Sequence, residues 1–144
     1  MQLLIFIGMP AAGKSSFWRE RFSDTHLRIN LDMLKTRHRE KLLFEACLAS
    51  KTPLAIDNTN LTRAERARYI APARAAKFAV HGYFFESSYE DARRRNENRP
   101  FAQRVPEVAL KNALAHLEPP DVSEGFDTLT RVRLTAAGTF ETEA

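Results

Sequence analysis

The sequence predicts an α/β domain of three layers, with helices packed on both faces of a mainly parallel five-stranded sheet. Two features predict it. Short apolar runs recur along the 144 residues and alternate with segments of helical period, and strands that alternate with helices pair in parallel through helical crossovers. The first run, Leu3-Leu4-Ile5-Phe6-Ile7, contains no polar residue, which is the pattern of a strand covered on both sides. With 44% hydrophobic residues the chain can bury one core. A single domain is therefore expected over residues 1–135, followed by a frayed tail at 136–144.

A glycine closes the first strand, and residues 13 to about 22 read as a helix whose Phe17, Trp18 and Phe22 are spaced to pack along one side. Leu27-Arg28-Ile29-Asn30 reads as a second short strand, and a stretch of helical period runs from Met33 to Ala49. Leu54-Ala55-Ile56-Asp57 is a third apolar run, closing on a carboxylate. Thr62 and Glu65 have the spacing of a capping box and open an Ala- and Arg-rich helix. Pro72 is expected to break or kink that helix near Ala71, because it lacks a backbone N–H and crowds the preceding turn. Phe78 to Phe85 is the most strand-like segment. Ser88 with Asp91 caps the next helix, Pro106 opens another that ends before Pro119-Pro120, and Thr128 to Leu134 alternates as an outer strand would.

Composition narrows the function classes. No apolar stretch approaches the roughly 20 residues of a membrane-spanning helix, and the Leu3 to Ile7 run has neither a basic leader nor a small-residue cleavage site. A cytoplasmic protein without membrane association is expected. Cys47 is the only cysteine, which excludes an internal disulfide and a multi-cysteine zinc site, and it reads as a small buried side chain. His26, His38, His81 and His116 have no metal-ligand spacing. The formal charge of +4 suits an anionic partner. Lys35, Arg37, Arg39 and Lys41 form one basic run, and Arg93, Arg94, Arg95, Arg99 and Arg104 another.

Gly8-Met9-Pro10-Ala11-Ala12-Gly13-Lys14-Ser15 matches G-x-x-x-x-G-K-[ST] between a buried strand and a helix. The fold class is therefore of the P-loop NTPase type. Loop amides and the helix N-terminus present partial positive charge to nucleotide phosphates. Gly8, Ala11, Ala12, Gly13, Lys14, Ser15 and Ser16 are the expected ATP-binding residues, with Lys14 reaching the β and γ oxygens and the Ser15 hydroxyl ligating Mg²⁺. The guanine-reading N-K-x-D motif does not occur, so phosphoryl transfer to a hydroxyl is the leading expectation.

Such a transfer needs a carboxylate to orient the attacking hydroxyl and accept its proton. Asp32 follows the second strand and should lie at the carboxyl edge of the sheet, where open α/β folds bind ligands; its alternative is a helix N-cap for Met33 onward. Asp57-Asn58-Thr59-Asn60 faces the same edge. There Asp57 can hold a water on Mg²⁺, and Thr59 and Asn60 can grip the acceptor; the alternative is an Asx-type turn into the Thr62 helix. Lys35 and Arg39 favour an anionic acceptor.

Over most of its length the chain resembles the 5′-kinase domain of polynucleotide kinases. The similarity runs through Gly8 to Ser15, Asn30-Leu31-Asp32, Ala55 to Asn60, Ala64 to Ala76, Ala92 to Arg99 and Glu124-Gly125-Phe126. It implies an ATP- and Mg²⁺-dependent kinase acting on the 5′-hydroxyl end of DNA or RNA. Asp32 would be the general base, and Asp57 and Thr59 would help hold the acceptor nucleotide. Residues of about 93–104 would form an arginine-rich lid, with Arg99 on the transferring phosphate and Arg95 near the adenine. Two departures fall on the acceptor side. Leu31 stands where the family commonly has an arginine, and Lys35 stands where the phage enzyme has another. A lysine binds phosphate as a point charge without the bidentate fork. No D-x-D-x-T phosphatase signature occurs. The competing readings are a P-loop kinase of a small metabolite, antibiotic or nucleotide-sugar, and an ATP-organised binding module.

Overall fold

In the computed structural model, which describes residues 1–144, the first apolar run becomes strand β1 (Gln2–Gly8), buried at every position after Gln2. Burial on both faces requires a strand on each side. β3 (Leu54–Asp57) and β4 (Ala79–Glu86) flank β1 in parallel, and β2 (Leu27–Ile29) and β5 (Thr128–Leu134) extend the sheet in parallel beyond them. The sheet has six strands in the order β2-β3-β1-β4-β5-β6. Alternation along β1 divides the core. Leu3, Ile5 and Ile7 join Ile29, Phe44, Leu54, Ile56, Tyr69 and Phe126 on one face. Leu4 and Phe6 join Ala12, Phe17, Ala55, Phe85 and Val132 on the other.

On the second face lies helix α1 (Lys14–Arg21), whose Phe17 packs edge-on against Phe6, Phe85 and Phe140 at centroid separations of 5.9, 5.3 and 5.1 Å. Phe17 and Phe22 thus pack into the core as their spacing predicts, and Trp18 lies partly buried beside them. Such edge-to-face pairs add about 0.5–1.5 kcal/mol each beyond area burial. The remaining helices are α2 (Leu31–Leu34), α3 (Arg37–Ser50), α4 (Arg63–Ala75), α5 (Tyr89–Glu97) and α6 (Glu107–His116). Cys47 is buried on α3, as expected.

Four expectations are corrected. The tail is not frayed: Phe140–Glu143 is β6, antiparallel to β5, so the sheet has a sixth strand and β5 is not outermost. Phe140 supplies the reason, since its ring packs against Phe17. The helical stretch from Met33 to Ala49 is two helices, because Lys35 takes φ 77 and ends α2 while the Thr36 hydroxyl caps α3 by accepting from Arg39 N. Pro72 does not break α4, which runs through it to Ala75; a proline in the last turn forfeits one bond where tertiary packing already fixes the helix. The capping box is half formed. Thr62 accepts from Glu65 N, but the Glu65 carboxylate accepts from Leu61 N rather than from Thr62.

The carboxyl ends of all five parallel strands reach one rim. No helix is long and apolar enough to cross a membrane.

Candidate active site

The rim begins where β1 ends. Pairing of Phe6 with Asp57 puts the phosphate-loop sequence one step past the end of β3, and Gly8 N donates to Thr59 O at 3.0 Å. At Gly8 a Cβ would meet the Phe85 backbone oxygen and Cβ at 3.0 Å, so any larger residue would press the loop away from β4 as it leaves the sheet. Ala11 (φ 64) and Gly13 (φ 98) adopt left-handed backbone. That winding turns the amides of Ala11, Gly13, Lys14, Ser15 and Ser16 away from the chain's own carbonyls, and none of them donates a backbone hydrogen bond. Amides arranged in this way make an anion-binding concavity.

Lys14 lies beneath the loop. Its ammonium donates to Gly8 O (3.0 Å) and Met9 O (2.6 Å). Burial lowers its pKa to about 8, against the opposing pull of Asp57 and Asp32 and with a smaller push from Arg99. Asp57, Arg99 and Asp32 are the charged side chains that act on this ammonium.

Asp57 is 2% exposed. Its Oδ2 accepts from Ser15 Oγ at 2.8 Å and from Arg28 Nε at 2.7 Å, and Arg28 Nη2 donates to Ser15 Oγ at 2.9 Å. No three His, Cys, Asp or Glu residues are grouped to hold a metal by themselves. One hydroxyl and one carboxylate beside a phosphate loop are nevertheless a donor set that fits Mg²⁺, which keeps several waters and takes its other ligands from substrate phosphates. Ser15 and Asp57 would hold it.

Across the rim, Asn30 settles the alternative for Asp32. The Asn30 side chain caps α2 by accepting from Met33 N, and its amide donates to Asp57 O at 2.6 Å. Asp32 is therefore in the first turn of α2 rather than at its cap, exposed and in no hydrogen bond or ion pair. Beside it, exposed Lys35 ends α2, and Arg39 donates to Leu34 O at 3.1 Å. Thr59 is half-buried at the strand end. Asn60 does not face the acceptor as expected. It is buried, and its amide donates to Phe6 O at 2.7 Å, because a left-handed backbone (φ 46) turns the side chain under β1.

On the lid side, Arg95 bridges the ends of β4 and β5 by donating to Ser87 Oγ (3.2 Å) and Leu134 O (3.4 Å). Arg99 follows α5 and is in no ion pair, whereas Arg93 and Arg94 pair with acids on their own helix. A short 3₁₀ turn, Phe101–Gln103, continues the segment with Phe101 85% exposed.

Several supporting residues escaped the sequence reasoning. Arg28 carries no local mark beyond its place in a short strand. Glu40 is buried and accepts from Tyr69 OH (2.8 Å), Arg37 Nη1 (2.9 Å) and Asn58 Nδ2 (2.9 Å), while Asn58 Oδ1 accepts from Leu31 N at 2.9 Å. This network ties the residue before Asp32 to the residue after Asp57. Burial and the Glu40 hydrogen bond push Tyr69 up to about 12, so its hydroxyl keeps the proton it donates. Arg66, 0% exposed, donates to both Glu124 oxygens (2.8 and 3.0 Å) and to Asn60 O and Leu61 O (2.9 and 3.0 Å). A signal existed for two of these. Glu40 shares an i, i+4, i+7 face with Phe44 and Cys47, and Arg66 shares an i, i+3, i+4, i+7 face with Tyr69, Ile70 and Ala73; a charge on an apolar face requires a buried partner.

The family model described as AAA domain (AAA_33) matches residues 24–120. The chain is 29% identical over 136 residues to the bifunctional polynucleotide phosphatase/kinase of Schizosaccharomyces pombe, which is 91% of this chain and 33% of that protein. It therefore spans about a third of the length of this curated relative. Kti12 of Chaetomium thermophilum, solved with ADP-AlF3, has the same fold (TM-score 0.67, 18% identity, 94% of this chain and 92% of that one). So does a gluconokinase of Sinorhizobium meliloti 1021 (TM-score 0.61, 19% identity, 92% and 82%).

Proposed function

We propose that this chain, which belongs to the AAA domain family and has the P-loop kinase fold, transfers the γ-phosphate of ATP to the 5′-hydroxyl end of a polynucleotide. The observation that carries the reading is Asp32: an exposed carboxylate in the first turn of α2, free of hydrogen bonds and ion pairs, on a helix whose Asn30 cap donates to Asp57 O at 2.6 Å beside the phosphate loop.

The loop amides and Lys14 hold the triphosphate, Lys14 exchanging the Gly8 and Met9 carbonyls for β and γ oxygens. Mg²⁺, when bound, supplies charge neutralisation to those oxygens. Asp32 takes the acceptor hydroxyl proton as the acceptor oxygen bonds to the γ-phosphorus; the bond from that phosphorus to the β–γ bridging oxygen breaks, and ADP leaves. Arg99 brings forked donors to the equatorial oxygens from the lid, and Arg95 lines the nucleotide side. Thr59, Lys35 and Arg39 line the acceptor side, where exposed cations suit a phosphodiester chain. Asn60 contributes by shaping the turn that presents Thr59.

Two features support the polynucleotide over other acceptors: the 29% identity to the S. pombe bifunctional protein extends over 91% of this chain, and the acceptor rim is basic. Leu31 and Lys35 favour the second reading, a small metabolite, antibiotic or nucleotide-sugar, since neither gives a bidentate phosphate grip. Incubation with Mg²⁺ and γ-labelled ATP beside 5′-hydroxyl and 5′-phosphate oligonucleotides and a panel of sugars and nucleosides separates them. Label on the 5′-hydroxyl strands is expected, and label confined to a small molecule would replace the proposal with the second reading.

A further inference from the structure

We propose that Arg28 is a positioning residue that holds Asp57 and Ser15 ahead of the metal, and that Mg²⁺–nucleotide displaces it from them, with the movement registered at Trp18. This rests on the nucleotide-binding part of the proposed function.

Arg28, Asp57 and Ser15 form a closed triangle of hydrogen bonds of 2.7, 2.8 and 2.9 Å. Its two oxygens, Ser15 Oγ and Asp57 Oδ2, belong to the donor set that fits Mg²⁺. A serine hydroxyl has one proton and two lone pairs. Here the proton goes to Asp57 and one lone pair receives Arg28. Asp57 Oδ2 takes two donors. Ligation at Ser15 and a water held between Mg²⁺ and Asp57 would draw on the acceptor positions these oxygens have left, and the guanidinium that donates to both of them would face the divalent cation at close range.

The arrangement also explains why Arg28 is there. A carboxylate 2% exposed at a strand end is costly unless a cation partners it, and Arg28 forms the only ion pair Asp57 has. The arginine has a way out. β2 is an edge strand, and the side chain is 23% exposed. Its guanidinium also lies 5.8 Å from the Trp18 ring centroid, within the range of a cation–π contact. Trp18 is the only tryptophan in the chain, so its emission reports this neighbourhood alone.

Competition makes a prediction of definite sign. If Arg28 merely propped Asp57, its loss would weaken metal binding. If it competes with the metal, its loss strengthens it. The test uses the whole chain, with tryptophan emission recorded for ATP in EDTA and for ATP with Mg²⁺, and calorimetric ATP affinity measured across a Mg²⁺ titration. In the native chain the emission is expected to differ between the two conditions. Arg28→Gln should lose that metal-dependent difference and need about tenfold less Mg²⁺ for half-maximal effect, the worth of one charge-assisted hydrogen bond. Arg28→Lys, which keeps the charge, should fall between and serves if Arg28→Gln does not fold. An unchanged or higher Mg²⁺ requirement in the variants would overturn the proposal. So would native emission that is identical in both conditions while ATP binds. Absence of ATP binding in either condition would overturn the functional reading itself.

Discussion

Raising the pH through 8 should weaken ATP binding by discharging Lys14. Burial is the main cause of the depression, and it brings the ammonium from the ordinary lysine value of 10.5 to about 8. At pH 7 about nine-tenths of Lys14 is charged, and at pH 9 about one-tenth. A neutral amine gives the β and γ oxygens no charge, so apparent affinity should fall about tenfold per pH unit above 8, or 1.4 kcal/mol. The sign follows from linkage. Triphosphate beside Lys14 raises its pKa, so binding takes up a proton, close to none at pH 6.5, about half a proton at pH 8 and nearly one at pH 9. The last ionisation of a phosphate monoester, near pH 6, is about nine-tenths complete at pH 7 and contributes almost nothing from pH 8 upward, where the Lys14 effect is read. Titration calorimetry in two buffers of different ionisation enthalpy measures both quantities. Lys14→Met should bind weakly and without the slope. Affinity that stays flat from pH 7 to 9.5 with no proton uptake would refute the claim that this buried ammonium is the phosphate contact.

Asp32→Asn should lower transfer by about 10² to 10⁴ and leave ATP affinity nearly unchanged, as measured by single-turnover labelling beside calorimetry. Glu124→Gln should cost about 3–5 kcal/mol in urea denaturation, because it leaves the Arg66 charge buried with carbonyls alone. Gly13→Ala should cost about 1–3 kcal/mol, since φ is 98 and the added Cβ would sit 3.1 Å from Phe140 Cε1; in a Phe140→Ala background Gly13→Ala should cost less than it does in the native chain, leaving the φ component.

Elements whose information is local were legible. The β1 run, the glycines and Lys14 of the loop, the hydroxyl caps at Thr62 and Ser88 and the strand at 79–86 each follow from residues adjacent in sequence. The failures lie where distant contacts decide. Nothing local in Gly138-Thr139-Phe140 announces a strand; β6 forms because β5 offers an edge and Phe17 offers a surface. Pro72 carries a strong local signal, yet Tyr69, Ile70 and Ala73 are buried around it and hold the helix through. Lys35 failed in the opposite sense, since a lysine in a helical stretch gives no sign of the positive φ that separates α2 from α3.

The site divides along the same line. Phosphate-loop chemistry is written in one octapeptide, whereas the balance of charge around it comes from four segments. Three cations, Lys14, Arg28 and Arg99, share the rim with two carboxylates, Asp57 and Asp32. Arg28 neutralises Asp57 at 2.7 Å, so the field left for an arriving triphosphate is that of Lys14 and Arg99 against Asp32 alone. That excess of positive charge favours the anionic substrate, and it leaves Asp32 as the one carboxylate not already engaged by an arginine. The base proposed at Asp32 would need that freedom, while the metal-side role proposed for Asp57 would need the opposite, a partner that holds it in place until a stronger cation arrives. Sequence position places both acids after strands, with a base expected at Asp32 and a metal-side carboxylate at Asp57; the arginine on β2 gives that difference a physical form, since it engages Asp57 and leaves Asp32 free.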